Sequence, residues 1–510
     1  MKKWLSVLLA AVMLLAMAGV AGAEGSGTTY PTPKGTITVT NLEKGEIVKI
    51  YQVIQLQLDA PATFAEPAWV TGLQSWIDEK YPQYDKPTKL PAAGDGKFLN
   101  ALSGQLKNAT PDDSKQMSEA GDYVSEELPV GSYIVIVMGG VKAHEAYLTS
   151  INAANYDYEG KKWNVTGGTV DASKKTKEPN VTKEISKETA AVGEVITFDI
   201  KTDIPSYPAS VYDTVVYKIF DEMDEALTFN FDSLEVYGVK TDEQGNDVET
   251  LLTLGNDKKE NGVDYEVEEP RTNVNGKIKI FELDFNYGKI KDYEKIHVQY
   301  KATVNEKIKL GSDENNNKVG FTYDVTTKYD EKKLHSFGLD LTKYEKGNLG
   351  TKLENAEFEL SKLNKEKNAY EKLSFGKITE ENGSYYYVPD AAGTDALTTD
   401  GNGKILVKGL DVGKYKLKET KAPQGYNLMV NEPEITLAQS NTKMYLSNTN
   451  DPEVEQSAYF YQPVEDSKIS ILPSTGGMGT TIFMVAGIGV MACAVVALML
   501  VLKRQKHSEG

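Results

Sequence analysis

The residues from Tyr415 to Tyr426 place a carboxyl group in a setting that could do chemistry. Glu419 ends the segment Lys414–Glu419, whose alternation of polar and apolar residues is typical of a half-buried strand. Burial raises the pKa of a carboxyl group and lowers the pKa of a lysine, so both can be neutral in an apolar core. A neutral amine can attack an amide carbonyl while a neutral carboxyl stabilises the oxyanion and passes a proton to the departing ammonia. A Lys, a Glu and an Asn held together could therefore form one amide cross-link.

The full motif is Tyr-Lys-Leu-Lys-Glu-Thr-Lys-Ala-Pro-Gln-Gly-Tyr. It resembles the E-box of Cna-B-type domains in streptococcal and corynebacterial pilins. Segments similar to a first, a second and a last strand of that domain surround it: Leu339–Lys343, Leu353–Leu360 and Met444–Asn448. The resemblance implies an isopeptide bond between Lys343 and Asn448, assisted by Glu419, with Asn450 as the other acceptor. The alternatives are an exposed ion pair of Lys343 and Glu419, and a turn at Asn448.

The middle of the chain resembles the Cna-A-type domain of the same pilins. Three segments carry this resemblance: residues 179–183, 219–229 and 311–323. It implies a second isopeptide bond, between Lys183 and Asn317, with Asp221 as the acid. Neighbours in a strand face opposite sides, so only one of Asp221 and the residue after it can point into the core. The alternative to a bond is a surface lysine beside a polar turn. Asn315 and Asn316 also remain open as the acceptor, and Glu222 remains open as the acid.

The C-terminal segment consists of a short motif, an apolar run and a basic end, in that order. The motif is Leu472, Pro473, Ser474, Thr475 and Gly476. The run from Thr481 to Leu502 is long enough for one bilayer crossing, and Lys503, Arg504 and Lys506 follow it. This order resembles the cell-wall sorting signal that sortases cleave between Thr475 and Gly476. The alternative is a single-pass membrane protein with a chance motif.

The sorting-signal resemblance implies both partners and a location. The partners are a class C pilin sortase, a housekeeping sortase, peptidoglycan, identical pilin subunits and accessory pilins. The location is secreted, cell wall-anchored and in a surface pilus, with the precursor held in the membrane by the C-terminal helix. At the other end, two lysines, an apolar stretch and Ala21-Gly22-Ala23 are typical of a signal peptide over residues 1–23.

Period-2 alternation dominates the chain, which predicts a mainly β fold of tandem Ig-like β-sandwich domains. Short helices are expected only in the first part of the chain, for example at 68–80 and 112–127. Charged, polar stretches suggest the domain boundaries. They give an N-terminal pilin domain at 24–177, a Cna-A-like domain at 178–332, a Cna-B-like domain at 333–451, a stem at 452–471 and the sorting signal at 472–510.

The first domain resembles the N-terminal domain of backbone pilins through Gly35–Asn41 and Ile47–Val53. In backbone pilins this domain ends in a Tyr-Pro-Lys motif, whose lysine receives the threonine of the next subunit. This chain has no Tyr-Pro there. The resemblance implies one of three amines, in order of preference: Lys174, Lys175 and Lys177. The alternative is a solvated basic linker.

Composition argues against several functions. The net charge of −18 makes nucleic acid an unsuitable partner. Cys493 is the sole cysteine and lies in the apolar tail, so disulfides do not stabilise the exported domains. His144, His297 and His335 lack metal-ligand spacing, and we expect no metal or other cofactor and no enzyme. A glycosidase carboxylate pair is the remaining enzymatic alternative. Asp400–Gly403 is expected to be a hairpin turn, with a calcium site as the alternative.

Together these features predict the shaft subunit of a covalent pilus that supports adhesion. The alternatives are an accessory or basal pilin, and a wall-anchored adhesin that binds a host surface ligand. In the shaft hypothesis, tension would enter near Lys174 and cross each sandwich through its isopeptide bond. The bonds would also shrink the unfolded ensemble, by about 4 to 5 kcal/mol for loops of roughly a hundred residues. The first domain would lie outside this load path.

Overall fold

The computed structural model describes residues 31–91, 94–268, 271–272, 277–311, 315–438, 459–469 and 479–506. Strands predominate, which confirms the predicted mainly β class. The chain divides into two compact units between Ser336 and Phe337. The predicted signal peptide and the motif at 472–476 lie outside the described residues.

The N-terminal part of the first unit is built on two main sheets. The larger has the order β13-β12-β10-β3-β6, with β7 also paired to β3, and the smaller has the order β14-β2-β8. Its strands are β1 (Lys34–Gly35), β2 (Ile37–Leu42), β3 (Ile47–Gln55), β4 (Leu58–Ala60), β5 (Thr63–Phe64), β6 (Ala68–Trp69), β7 (Asp113–Gln116), β8 (Gly121–Val124), β9 (Leu128–Pro129), β10 (Gly131–Met138), β11 (Ala143–His144), β12 (Tyr147–Asp157), β13 (Lys162–Thr166), β14 (Gly168–Asp171) and β15 (Thr176–Lys177).

Helices in this part differ from the prediction. The helix expected at 68–80 is confined to α1 (Gln74–Lys80), because β6 precedes it. The helix expected at 112–127 is wrong: its polar residues form the edge strands β7 and β8. A helix that we did not predict, α2 (Gly96–Gln105), starts at Asp95, whose side chain accepts from two backbone N–H groups, and it buries Phe98. Short 3₁₀ turns cover Pro82–Tyr84 and Pro87–Lys89.

The middle part of the chain is a sandwich of two sheets with one apolar core between them. One sheet has the order β16-β17-β25-β19-β20; the other has the order β21-β22-β24-β18-β26-β27, with β23 on β24. The elements are β16 (Val181–Ile185), β17 (Val195–Asp203), a 3₁₀ turn (Ala209–Val211), β18 (Tyr217–Met223), β19 (Leu227–Thr241), β20 (Asp247–Leu251), β21 (Leu254–Gly255), β22 (Tyr265–Glu268), β23 (Arg271–Thr272), β24 (Ile278–Phe285), α3 (Tyr287–Ile290), β25 (Lys295–Val304), β26 (Asn316–Tyr323) and β27 (Thr326–Lys333).

The second unit contains another sandwich. Its sheets have the orders β29-β28-β35-β33-β32, with β38 on β28, and β31-β30-β36-β37, with β34 on β30. The strands are β28 (Phe337–Glu345), β29 (Asn348–Lys352), β30 (Glu357–Asn364), β31 (Ala369–Lys372), β32 (Phe375–Thr379), β33 (Tyr385–Pro389), β34 (Leu397–Thr398), β35 (Lys404–Leu410), β36 (Gly413–Lys421), β37 (Glu434–Leu437) and β38 (Tyr459–Asp466).

The C-terminal segments of this unit differ in part from the prediction. Residues 459–466 fall in the expected stem, yet they form β38 of the sandwich, so the stem prediction is wrong for this strand. Helix α4 (Gly479–Lys506) follows. Its segment Phe483–Val501 is long and apolar enough to cross a membrane. At Asp400 the chain makes a hairpin turn, closed by hydrogen bonds between Asp400 and Lys404.

Candidate functional site

The middle sandwich buries a lysine side chain completely. Lys183 lies on β16, where Val181 and Lys183 face the core and the alternating residues face solvent. Its Nζ donates to the carboxylate of Asp221 and, at 2.9 Å, to the hydroxyl of Tyr300. The same Nζ lies 5.1 Å from the ring centroid of Phe198. An amine in this position is removed from water and surrounded by aromatic rings.

Asn317 lies beside this lysine, on the opposite sheet. Asp221 is on β18 and Asn317 on the neighbouring β26, where Met223 is directly opposite Asn317. The Nδ2 of Asn317 donates to the Tyr300 hydroxyl at 2.6 Å, and both side chains are buried. The structure therefore brings Lys183, Asp221 and Asn317 together, the grouping that the family resemblance implies.

The other candidates of this segment lie elsewhere. Asn315 is buried, but its side chain is hydrogen-bonded to the backbone of Lys309 and Leu334. Asn316 contacts the Lys277 amine on the other side of β26. Glu222 is half-exposed, whereas the Asp221 carboxyl has no exposed surface. Geometry therefore favours Asn317 and Asp221 over their neighbours.

Burial acts in opposite directions on the two ionisable groups. Desolvation lowers the pKa of Lys183, although the Asp221 carboxylate opposes this effect, and desolvation raises the pKa of Asp221 against the opposing effect of Lys183. The Oδ1 atoms of Asp221 and Asn317 are buried without a hydrogen-bond partner. A neutral amine beside a neutral carboxylic acid is the combination that amide formation requires.

The sandwich of the second unit, called the third domain from here on, contains a similar buried cluster. The Nζ of Lys343, on β28, lies 2.6 Å from Oδ1 of Asp466 and 2.9 Å from Oε1 of Glu419. The side chains of Lys343 and Glu419 have no exposed surface, and that of Asp466 has 1%. Glu419 Oε2 accepts a hydrogen bond from the Met429 backbone at 2.6 Å, which fixes the carboxyl in place. Desolvation raises the pKa of Glu419, an effect that Lys343 opposes.

Asp466 is a residue that the sequence analysis missed. The predicted acceptor Asn448 and its alternative Asn450 lie outside the described residues. On one side, β28 pairs with β35 as far as Thr342; on the other side, it pairs with the parallel strand β38 from 338 to 345. In the described part of the chain, the strand paired with β28 at Lys343 is therefore β38. Alternation within β38, with Phe460, Val464 and Asp466 buried, was the signal that could have revealed an inward-facing carboxyl.

Tyr300 was also missed. It lies on β25, in a predicted alternating strand, on the same face as Val298 and Ala302. Desolvation raises the pKa of its hydroxyl well above the ordinary value. A hydroxyl on an otherwise apolar inward face was the sequence signal.

The three candidate polymerisation lysines lie in the turn after β14 and in β15. Lys174 is 76% exposed, and its Nζ lies 3.0 Å from Asp171. Lys175 is exposed and has a φ of 54°. Lys177 is 57% exposed, and its Nζ lies 3.4 Å from Asp203. All three amines are accessible to an enzyme.

A buried polar chain holds this turn. His144 Nε2 lies 2.8 Å from Glu46 Oε1, and Nδ1 lies 3.1 Å from the Tyr147 hydroxyl. That hydroxyl donates to the backbone carbonyls of Ala172, at 3.2 Å, and Lys174. The backbone of the turn is therefore fixed from inside, while its lysine side chains face outward.

Comparison with known proteins finds one family match and one related sequence. Residues 338–452 match the SpaA family, a prealbumin-like fold domain. The chain is 26% identical over 454 residues to the trypsin-resistant surface T6 protein of Streptococcus pyogenes serotype M6, an alignment that covers 84% of this chain and 76% of that protein.

Solved pilin structures also align with the chain. The T6 backbone pilin of serotype M6 Streptococcus pyogenes aligns with a TM-score of 0.48 and 20% identity, over 87% of this chain and all of that one. The full-length major pilin SpaD of Corynebacterium diphtheriae aligns with a TM-score of 0.46 and 17% identity, over 86% of this chain and 98% of that one.

Proposed function

We propose that this chain is the repeating shaft subunit of a covalent cell-surface pilus, with an isopeptide bond in each of its second and third domains. The observation that carries the proposal is the pair of buried amine clusters, at Lys183 and at Lys343. At Lys183 the amine contacts Asp221 and is linked to Asn317 through the Tyr300 hydroxyl, and at Lys343 the amine contacts both Glu419 and Asp466. The prealbumin-like domain match and the similarity to the T6 surface protein support the same function.

In the middle domain, Lys183 Nζ would bond to Asn317 Cγ. The bond from that carbon to Nδ2 breaks, and ammonia leaves with a proton from the amine. Burial raises the pKa of Asp221, and in its neutral form this carboxyl would be the acid that stabilises the oxyanion. The product joins β16 of one sheet to β26 of the other.

In the third domain, Asp466 is the described residue that contacts the amine, and it is the acceptor in this proposal. The predicted acceptor Asn448 and its alternative Asn450 lie outside the described residues and remain the alternatives. The reaction then differs in its leaving group, because amide formation from a carboxyl group releases water, whereas amide formation from an asparagine side chain releases ammonia. Lys343 Nζ would bond to Asp466 Cγ, and Glu419, 2.9 Å from the amine, would take the amine proton and deliver one to the departing hydroxyl. The product joins two neighbouring parallel strands, β28 and β38.

Polymerisation would use the sorting motif of one subunit and an exposed lysine of the next. A class C pilin sortase would cleave after Thr475 and transfer it to Lys174, Lys175 or Lys177, and a housekeeping sortase would transfer the last subunit to peptidoglycan. Helix α4 would hold the precursor in the membrane until cleavage. Accessory pilins and a host surface ligand are the further partners in this proposal.

Two measurements test the proposal. Intact mass and tryptic mapping of residues 24–475 should show the loss of one ammonia and one water, with Lys183 linked to Asn317 and Lys343 linked to Asp466. An unmodified mass would rule out both bonds.

Co-expression with a class C pilin sortase should give a ladder of covalent multimers. Single Lys→Arg changes at 174, 175 and 177 should identify the one amine whose loss abolishes the ladder. A chain that is capped once but never extends would instead be a terminal or basal subunit.

A further inference from the structure

We propose that Tyr300 is a catalytic residue of the Lys183–Asn317 reaction, which relays a proton from the attacking amine to the leaving group. This inference rests on the bond proposed above for the middle domain. Tyr300 Oη lies 2.9 Å from Lys183 Nζ and 2.6 Å from Asn317 Nδ2, and it is also hydrogen-bonded to the Asp221 carboxyl. The hydroxyl thus touches the nucleophile, the leaving group and the acid.

The reaction needs a proton transfer that these contacts can supply. When Nζ attacks the amide carbon, the amine nitrogen becomes acidic and Nδ2 becomes basic, so one proton must pass between them. Among the described residues, Tyr300 is the only side chain hydrogen-bonded to both nitrogens. Asp221 accepts a hydrogen bond from the amine, but its Oδ1 atom is buried without a hydrogen-bond partner.

The proposed step balances without a co-reactant. The C–N bond from Lys183 forms, Nζ gives a proton to Tyr300 Oη, and the phenolic proton of Tyr300 passes to Nδ2. The bond from Cγ to Nδ2 then breaks, and ammonia leaves. Tyr300 ends the step with its hydroxyl restored. Because burial disfavours the phenolate, the two proton transfers occur together and no free phenolate forms.

The site also holds the ring itself firmly. Tyr300 has no exposed surface, and it stacks on Phe198 at a centroid distance of 5.2 Å with an interplanar angle of 18°. It makes edge contacts with Phe229 and Phe281. Removal of the oxygen alone should leave this packing in place, which makes Tyr300→Phe a clean test.

The matched control is Tyr217→Phe in the same domain. Tyr217 is equally buried, and its hydroxyl is hydrogen-bonded to Thr202 at 2.6 Å and to the carbonyl of Asp203 at 3.2 Å, not to the lysine cluster. Tyr217→Phe therefore shows the effect of losing a buried hydroxyl that takes no part in the proposed reaction.

The experiment follows intact mass over time after cell-free synthesis of residues 24–475. We expect Tyr300→Phe to slow the loss of ammonia by roughly 100-fold, in the range of general acid–base effects. Tyr217→Phe should react at the wild-type rate. The loss of water from the third domain, in the same molecule, should keep its rate in both variants. Loss of ammonia from Tyr300→Phe at the wild-type rate would overturn the proposal.

A second variant separates proton relay from simple positioning. 3,5-Difluorotyrosine at position 300 preserves the ring and the hydrogen bonds but makes the hydroxyl more acidic. A relay predicts a changed rate and a changed pH profile, whereas an unchanged rate would overturn the relay even if Tyr300→Phe fails to fold. If the wild-type chain never loses ammonia, the middle-domain bond itself is wrong, which is a different result from either variant outcome.

Discussion

Oδ1 of Asp466 lies 2.6 Å from Nζ of Lys343, on a strand that runs parallel to the strand of Lys343. Among the described residues, this contact gives the third domain an aspartate as a candidate acceptor, beside the predicted Asn448. It also pairs two carboxyl groups with one amine, because Glu419 lies on the other sheet at 2.9 Å. One carboxyl can then be consumed while the other moves protons.

Substitutions at the acceptor distinguish aspartate from asparagine. We expect Asp466→Ala to abolish the third-domain bond and Asn448→Ala to leave it intact. Asp466→Asn should still react, because its amide supplies the same carbonyl carbon, and its linked product should have the same mass as linked wild type. Intact mass before and after linkage, with peptide mapping, checks all three variants. Loss of the bond in Asn448→Ala, together with retention in Asp466→Ala, would return the acceptor to Asn448.

Glu419 should be required in the third domain alone. Glu419→Gln keeps the shape of the side chain but cannot carry a proton between amine and acceptor, so the chain should lose ammonia from the middle domain and retain the water of the third. Trypsin should then cleave the third domain more readily, because the unlinked loop has lost about 5 kcal/mol of stabilisation. The control is Glu357→Gln, which removes an exposed partner of Lys421 from the same sheet. A Glu419→Gln chain that still loses water would remove Glu419 from the mechanism.

The third domain should depend on pH when its amine is removed. In Lys343→Met, no bond forms, and Glu419 loses the group that lowered its pKa, so the pKa of the folded state lies further above the ordinary 4.5. The folded state then binds more protons than the unfolded state. Stability is therefore greatest below pH 4.5 and falls as the pH rises through the folded pKa.

Calorimetry of residues 24–475 can test this sign. The third-domain transition of Lys343→Met should fall by about 5 °C between pH 4.5 and 7. Lys404→Met, which breaks an exposed pair with Asp340 on the same sheet, should leave that transition insensitive to pH over this range. A transition that rises with pH in Lys343→Met would show that Glu419 is ionised in the folded domain.

The turn that carries the candidate polymerisation lysines should depend on Tyr147. Tyr147→Phe leaves the carbonyls of Ala172 and Lys174 without their donor, at a cost of about 1 to 3 kcal/mol. We expect a lower melting temperature of the first domain and slower growth of the multimer ladder. The control Tyr158→Phe removes a hydroxyl from a side chain that is 77% exposed. A lower melting temperature with an unchanged ladder would limit Tyr147 to a structural role.

Sequence alternation predicted much of the β structure because a half-buried strand has a period of two. The segments around Lys183, Asp221 and Lys343 all form strands. Their convergence could not be derived from spacing, since Lys183 and Asn317 lie on different sheets, and the family resemblance supplied that pairing. The helix predicted at 112–127 failed because polar edge strands lack an alternating apolar face.

Asp466 and Tyr300 escaped prediction for a different physical reason. Each is a polar residue on the inward face of a strand, and the sequence shows the face but not the partner. Phe460 and Val464 indicate that Asp466 points inward, but its amine lies 123 residues earlier in the chain. Only the parallel pairing of β28 and β38 brings them together.

The parallel arrangement of β28 and β38 has a consequence for the evolution of the fibre. With Lys343 joined to Asp466, a pull on the two ends of the domain would pass directly between these residues, and everything from 344 to 465 would form a closed side loop. Insertions, deletions and substitutions in that loop would leave the contour length of the tensioned subunit unchanged. The exposed segments of that loop could then change in length and sequence while the distance between the two ends of the domain under tension stays the same.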